Sequence, residues 1–103
     1  QQPQSLRYQG LRADVWRDQG HLEAAEASLS DLVARTAKDP QRGPMMRQHR
    51  AKVWFYQGRL REAEAEFAAV LSAREATGAS VDQVASSRQA LNRVRLARAE
   101  QDG

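Results

Sequence analysis

Residues 13–27 read ADVWRDQGHLEAAEA, and residues 51–65 read AKVWFYQGRLREAEA. The two stretches share an alanine, Val-Trp, Gln-Gly, a leucine and the closing Ala-Glu-Ala at the same places, and they are offset by 38 residues. Self-similarity at a fixed period of this length is the signature of proteins built from stacked repeats. Because stacked repeats usually provide extended binding surfaces, the sequence predicts a binding function and leaves the partner open.

The composition predicts a thin, helical core. The chain has 103 residues, of which 41% are hydrophobic, and it contains only two each of Trp, Tyr and Phe. A chain of this length buries only about two thirds of the surface that its unfolded form exposes. Much of the apolar content is alanine, which suits closely packed helices and argues against a deep catalytic cavity.

The charge balance is mildly basic. Lys and Arg exceed Asp and Glu by 3, and arginine supplies most of the basic residues. A well-mixed, solvated surface is the simpler interpretation, and a nucleic-acid-binding surface is the alternative. The chain has no cysteine, so disulfides and thiolate metal sites are excluded.

The ends and the hydropathy of the chain bear on its location. No stretch approaches the ~20 apolar residues of a membrane span, and Gln1-Gln2-Pro3-Gln4 does not resemble a signal peptide. Membrane insertion is therefore not expected, and the compartment stays open with a slight preference for the cytoplasm. The absence of an initial Met predicts a processed chain or a fragment of a longer protein, and the Arg and Ala bias suggests a bacterial source.

The spacing of apolar and turn residues predicts two repeats, at about 6–39 and about 44–78. In each repeat a first helix ends at a glycine, Gly20 or Gly58, and a second helix follows. Between the repeats, the sequence Asp-Pro-Gln-Arg-Gly-Pro at 39–44 predicts a turn.

One further helix is predicted at about 80–101, after Gly78. Ser80 and Gln83 form a capping-box pattern at its start. This helix takes the place of the first helix of a third repeat.

The pattern resembles the tetratricopeptide repeat, in which a glycine-closed helix precedes a helix that carries Ala-x-x-x-Leu or Ala-x-x-x-aromatic. Ala25 with Leu29, and Ala63 with Phe67, provide that second half. The first-helix half matches less fully. Trp16 and Trp54 stand where the family commonly has Tyr, Ala13 and Ala51 at its small position, Gln9 and Arg47 at its Trp position, and Arg12 and Arg50 at its Leu position.

The stretch from Gln57 to Glu75 is similar to the longer-period variety of this family found in kinesin light chains and bacterial signalling arrays. The resemblance implies an all-α fold: a right-handed superhelical stack of antiparallel helix hairpins, with two repeats and one extra helix in a single domain. It also implies that the first helices line a concave groove. The groove residues implied as partner-binding are Arg7, Asp14, Arg17, Asp18, Lys52, Phe55, Tyr56 and Arg93.

Phe55 and Tyr56 are the most informative of these residues. Repeat one has Arg17 and Asp18 at the same places, so packing between hairpins does not require aromatic rings there. Beside Lys52, the two rings would hold an apolar side chain of a peptide while the ammonium pairs with a carboxylate. The alternative is that one ring fills the joint against the third repeat.

The leading hypothesis is a non-catalytic adaptor or scaffold module that binds a peptide or helix of another protein.

Two other functions are kept open. A stack that ends on the first helix of a repeat leaves an apolar edge, which Val84, Leu91 and Val94 would line, so a second copy of the chain is a possible partner. The last helix also carries several arginines, which suit contact with nucleic acid. These are Arg88, Arg93, Arg95 and Arg98.

Catalysis and metal binding find no support in the sequence. His21 and His49 have no second histidine, cysteine or carboxylate pair at ligand spacing, so neither a metal nor a cofactor is expected. No nucleophile with a neighbouring base is recognisable, so an enzyme is not expected.

Overall fold

A computed structural model describes residues 19–102, and this part of the chain consists of helices without strands. The prediction of an all-α fold is confirmed at this level. Expectations for Arg7, Asp14, Arg17 and Asp18 lie outside the described residues. The helices are α1 (Gln19–Arg35), α2 (Arg42–Tyr56), α3 (Leu60–Ala76) and α4 (Val81–Asp102).

Two glycines end helices as the sequence predicts. Gly58 has φ +83° and Gly78 has φ +71°, a left-handed conformation that only glycine adopts at little cost. After each one the chain turns back on the preceding helix: the N–H of Arg59 donates to the carbonyl oxygen of Trp54, and that of Ala79 to Arg74, both at 2.9 Å. Short turns of this kind place consecutive helices side by side.

Gly20 behaves differently from Gly58. The sequence predicts that Gly20 ends a helix, but the structure places it in the first turn of α1, which begins at Gln19. α1 ends at Arg35, a few residues before the expected end near Lys38, because residues 36–38 form a turn.

Side chains cap the starts of α2 and α4. Asp39 Oδ1 accepts the backbone N–H groups of Arg42 at 2.8 Å and Gln41 at 2.9 Å, and these two bonds lower the pKa of Asp39. Ser80 Oγ accepts the N–H of Gln83 at 3.2 Å, which confirms the serine half of the predicted capping box.

Consecutive helices pack against each other and run in opposite directions. Between α3 and α4, Arg74 contacts Gln83 and Ser87 near the connecting turn, while Glu64 contacts Arg98 far from it. Trp54, near the end of α2, contacts Glu26 in the first half of α1, and Gln48, in the first half of α2, contacts Arg74 near the end of α3. The described helices therefore form successive antiparallel hairpins.

The core consists of two apolar clusters that follow the sequence repeat. Leu22 and Leu29 lie in one cluster with Met46 and Val53. Their counterparts one period later, Leu60 and Phe67, lie in the other, whose buried members also include Ala51, Ala63, Leu91 and Val94. The apolar positions shared by the two repeats are therefore the ones that the fold buries.

We predict that Gly43→Ala destabilises the fold. Alanine in a helix is ordinarily more stable than glycine by about 0.5–1 kcal/mol, but here the new Cβ would lie 2.8 Å from the backbone oxygen of Thr36. Since a backbone atom cannot rotate away, we expect a loss of about 1–3 kcal/mol in urea unfolding. Ser72→Ala, at an exposed position of α3, is the control and should be neutral or slightly stabilising. Equal stability of the two variants would contradict the close approach.

Candidate functional site

The groove residues predicted on the described part of the chain lie together. Lys52, Phe55 and Tyr56 of α2 and Arg93 of α4 line one cavity of about 210 Å³ between these two helices. Phe67 and Ala90 add apolar surface, and the remaining lining is polar: Gln48, His49, Ser86 and Gln89. The cavity thus combines an apolar floor with cationic and amide groups at its sides.

The two adjacent rings connect this cavity to different parts of the core. Their centroids are 5.4 Å apart, and the ring planes meet at 73° in an edge-to-face arrangement. Both rings are half-buried. Phe55 packs against the cluster that contains Leu91, whereas Tyr56 packs against the cluster of Leu22. Each ring thus contributes to the core as well as to the cavity.

A second cavity, of about 440 Å³, adjoins the first. The two cavities share Gln48, His49 and Ser86 as lining residues, so they lie next to each other between α2 and α4, and we call them together the α2/α4 groove. The second cavity is also lined by Met45, Arg74, Asp82 and Gln83.

Gln48 ties together the three helices around the groove. Its Oε1 accepts hydrogen bonds from Ser87 Oγ at 2.6 Å and from Arg74 Nη1 at 3.2 Å. Its Nε2 donates to Ser86 Oγ at 3.2 Å. This network fixes the spacing of α2 and α4 at the polar end of the groove.

Sequence reasoning missed Arg74 and Ser86 as groove residues, although each had a signal. Ser86 lies 38 residues after Gln48, which is the repeat period. Arg74 continues the buried stripe of Phe67 and Val70 at helical spacing, so a charge at that position should have attracted attention.

Glutamates of α3 bridge it to its neighbouring helices. Glu66 is only 8% exposed and accepts bonds from Arg47 Nη2 at 2.9 Å and Arg50 Nη2 at 2.6 Å. Glu64 pairs with Arg95 and Arg98. These carboxylates link α3 to α2 on one side and to α4 on the other.

Glu26 makes the corresponding link between α1 and α2. It accepts bonds from Trp54 Nε1 at 2.9 Å, Arg59 Nη1 at 2.9 Å and Gln57 Nε2 at 3.3 Å. Burial raises the pKa of Glu26, but the three hydrogen bonds together outweigh it and lower the pKa. The guanidinium groups of Arg50 and Arg59 lie 4.7 and 5.1 Å from the centroid of the Trp54 ring. Trp54 is half-buried, and these contacts with its own chain favour a structural role over stacking on a base or a sugar.

Ion pairs partly neutralise the positive charge of the arginines on α4. Arg88 pairs with Glu75 at 3.0 Å, and Arg95 and Arg98 pair with Glu64. Phosphate binding draws on cationic charge that is not already neutralised. The described residues therefore provide no specific support for a nucleic-acid surface.

The expected self-association edge needs correction. Leu91 is 4% exposed and Val94 is 0% exposed, because both pack against α2 and α3 in the cluster of Leu60 and Phe67. Val84 is half-buried. Leu91 and Val94 are thus unavailable to line an open edge, and the large apolar side chains of α4 that are exposed are Val81 and Leu96.

Residues 19–102 contain no group of three or more His, Cys, Asp or Glu side chains arranged to hold a metal ion. Within the same range, no helix combines the length and apolarity needed to cross a membrane.

No protein-family model matches the sequence, and no curated protein or solved structure shows a significant match to the chain. The resemblance to tetratricopeptide repeats therefore depends on the residues of this chain alone.

We predict that the Glu64 bridge weakens in acid. The hydrogen bond from Arg98 is the largest influence that holds the pKa of Glu64 below its ordinary value of 4.5. A carboxylate with a lowered folded-state pKa stabilises the fold above its unfolded pKa, and that contribution is lost as the pH falls from 4.5 through the folded-state value. Glu64→Gln should therefore lower the free energy of unfolding at pH 7 and flatten its decline between pH 5 and pH 3, measured by urea unfolding.

Glu23→Gln provides the control, because Glu23 is exposed on α1 and takes part in no ion pair among the described residues. Its stability curve should follow that of the wild type. An equally steep acid decline in Glu64→Gln would show that other carboxylates determine it.

Proposed function

We propose that this chain is a non-catalytic protein-interaction module of tetratricopeptide-like architecture, which binds a peptide or helix of another protein in the α2/α4 groove. The architecture is supported by the antiparallel hairpins and by the contact between Gln48 and Ser86, which are separated by 38 residues. Contact between residues one period apart is what a stack of repeats produces, because equivalent positions of successive first helices become neighbours.

One observation carries the functional proposal: Lys52, Phe55, Tyr56 and Arg93 line a single cavity. An apolar floor beside cationic groups suits a segment that presents an apolar side chain next to a carboxylate. Both rings also pack against the core clusters, so the proposal depends on the part of each half-buried ring that lines the cavity. Repeat one has Arg17 and Asp18 at the equivalent positions, so the sequence repeat does not require aromatic rings there.

We predict that charge reversal in the groove abolishes peptide binding. Random ten-residue peptides displayed on phage are selected on the immobilised chain, and the affinity of an enriched peptide is measured by fluorescence anisotropy. The double variant Lys52→Glu, Arg93→Glu should lose about tenfold or more in affinity, since it turns an attractive contact with an acidic ligand into a repulsive one. Tyr56→Ala should lose a similar amount, since a truncated aromatic anchor typically costs 1–2 kcal/mol or more.

The matched control is Lys38→Glu, Arg61→Glu, which changes the net charge equally at two exposed positions. It should bind like the wild type. Because Tyr56 also packs against the Leu22 cluster, thermal unfolding of each variant is recorded and binding is measured well below its melting temperature. The proposal that this groove binds peptides would be refuted if no peptide is enriched, or if an enriched peptide binds all variants with equal affinity.

Self-association is a second candidate, supported by two exposed apolar side chains on α4, Val81 at 84% and Leu96 at 68% exposure. If these residues join two copies, sedimentation velocity should show a species that grows with concentration. Leu96→Glu should abolish it, whereas Asn92→Glu, an exposed neighbour on the same helix, is the control for added charge. A monomer at millimolar concentration would exclude this candidate.

A further inference from the structure

Arg74 is a buried cation whose hydrogen-bond acceptors in the described structure are all neutral. It lies near the end of α3 and is 6% exposed. Its Nη1 donates to Ser87 Oγ at 3.0 Å, to the carbonyl oxygen of Gln83 at 3.1 Å and to Gln48 Oε1 at 3.2 Å. Among residues 19–102, no carboxylate forms an ion pair with Arg74, and its sequence neighbour Glu75 is paired with Arg88.

This arrangement differs from that of the other arginines at helix contacts. Arg47 and Arg50 share Glu66, and Arg59 pairs with Glu26. A buried charge without an opposite charge is costly, and burial correspondingly lowers the pKa of Arg74. An apolar side chain would continue the stripe of α3 at lower cost, so packing alone does not explain the arginine.

The unused donors of Arg74 adjoin an open cavity. A guanidinium group carries five N–H donors, and all three hydrogen bonds use Nη1. The other nitrogens, Nε and Nη2, remain for a further acceptor. Arg74 lines the 440 Å³ cavity, which shares the lining residues Gln48, His49 and Ser86 with the neighbouring apolar cavity.

We propose that Arg74 binds a carboxylate of the segment that occupies the α2/α4 groove. This inference rests on the proposed function and identifies the ligand as an acidic peptide. The planar fork of a guanidinium matches a carboxylate with two parallel hydrogen bonds. Asp82 lines the same cavity and repels a dianion more strongly than a monoanion, so a carboxylate suits the cavity better than a phosphate.

The spacing of the two cavities sets the spacing in the ligand. Gln48 lies beside Arg74, and Phe55 follows Gln48 by two turns of α2, which is about 10 Å along the helix. An extended peptide covers that distance in about three residues. The carboxylate should therefore lie about three residues from the apolar anchor.

Acetate is the probe for the carboxylate site, so this experiment does not depend on a peptide having been selected first. The ¹⁵N-labelled chain is titrated with sodium acetate at constant ionic strength, with sodium chloride as the reference. We expect saturable chemical-shift changes at Arg74 Nε–Hε and at the amides of Gln83, Ser86 and Ser87. These changes should disappear in Arg74→Met, and they should persist in Arg61→Met, which removes an exposed arginine of the same helix.

A second variant keeps the test decisive if Arg74→Met does not fold. Asp82→Asn removes the negative charge that lines the cavity and should tighten acetate binding about two- to fivefold, the effect of one charge several ångströms away at high effective dielectric. If Arg74 serves packing alone, Asp82→Asn should not tighten acetate binding.

The proposal is overturned if acetate produces only the linear drift seen with chloride, if saturable shifts persist in Arg74→Met, or if Asp82→Asn leaves the acetate affinity unchanged. The experiments distinguish failure of the carboxylate site at Arg74 from failure of the proposal that the groove binds peptides. Selected peptides that bind wild type and Arg74→Met equally would support the groove and refute the carboxylate site. A saturable acetate site in a chain that selects no peptide would support Arg74 and refute the groove.

Discussion

The junctions between α1 and α2 and between α3 and α4 are the constraint on which this structure depends. Glu26 and Glu64 are equivalent positions of the sequence repeat: Glu26 of α1 accepts a hydrogen bond from Trp54 of α2, and Glu64 of α3 accepts one from Arg98 of α4. Partly exposed ion pairs of this kind contribute only about 0–1 kcal/mol each. Burial of a large apolar side chain contributes about 1.5–3 kcal/mol, so each of Leu29, Phe67 and Leu91, which are all buried, contributes more than such an ion pair. The contribution of the carboxylates is directional: each favours the helix arrangement in which its donors lie within hydrogen-bond distance.

That division of roles explains which parts of the structure were predictable from the sequence. The turns at Gly58 and Gly78 were predictable, because a helix often ends at a residue in the left-handed conformation, which glycine adopts at little cost. The burial of the equivalent residues Leu22 and Leu60, and of Leu29 and Phe67, was also predictable. The spacing of apolar residues shows which face of a helix packs against its neighbours. The partners of Glu64 and Glu66 were not. A glutamate near the start of a helix also suits the helix dipole, and only the packed structure shows which arginines it meets.

Leu91 and Val94 illustrate a different limit. Periodicity shows that the last helix has an apolar face, but it does not show whether the preceding hairpin or a following one covers that face. The structure buries both residues against α2 and α3. The side chains left exposed on α4, Val81 and Leu96, do not belong to that stripe. The face of α4 that could meet a further helix or a second copy is accordingly much less apolar than the sequence suggested.

The groove also separates residues that support the fold from residues suited to binding. Phe55 packs against the cluster that joins α2, α3 and α4, so its removal would disturb the packing on which the cavity depends. Lys52 and Arg93 lie at the cavity without belonging to either apolar cluster. Arg74 combines both properties: its hydrogen bonds hold α4 against α3, while it forms no ion pair with a carboxylate of the described residues. Neutral acceptors satisfy the donors of its Nη1 but do not compensate the charge of a buried guanidinium, and a carboxylate from a bound segment would supply the missing negative charge.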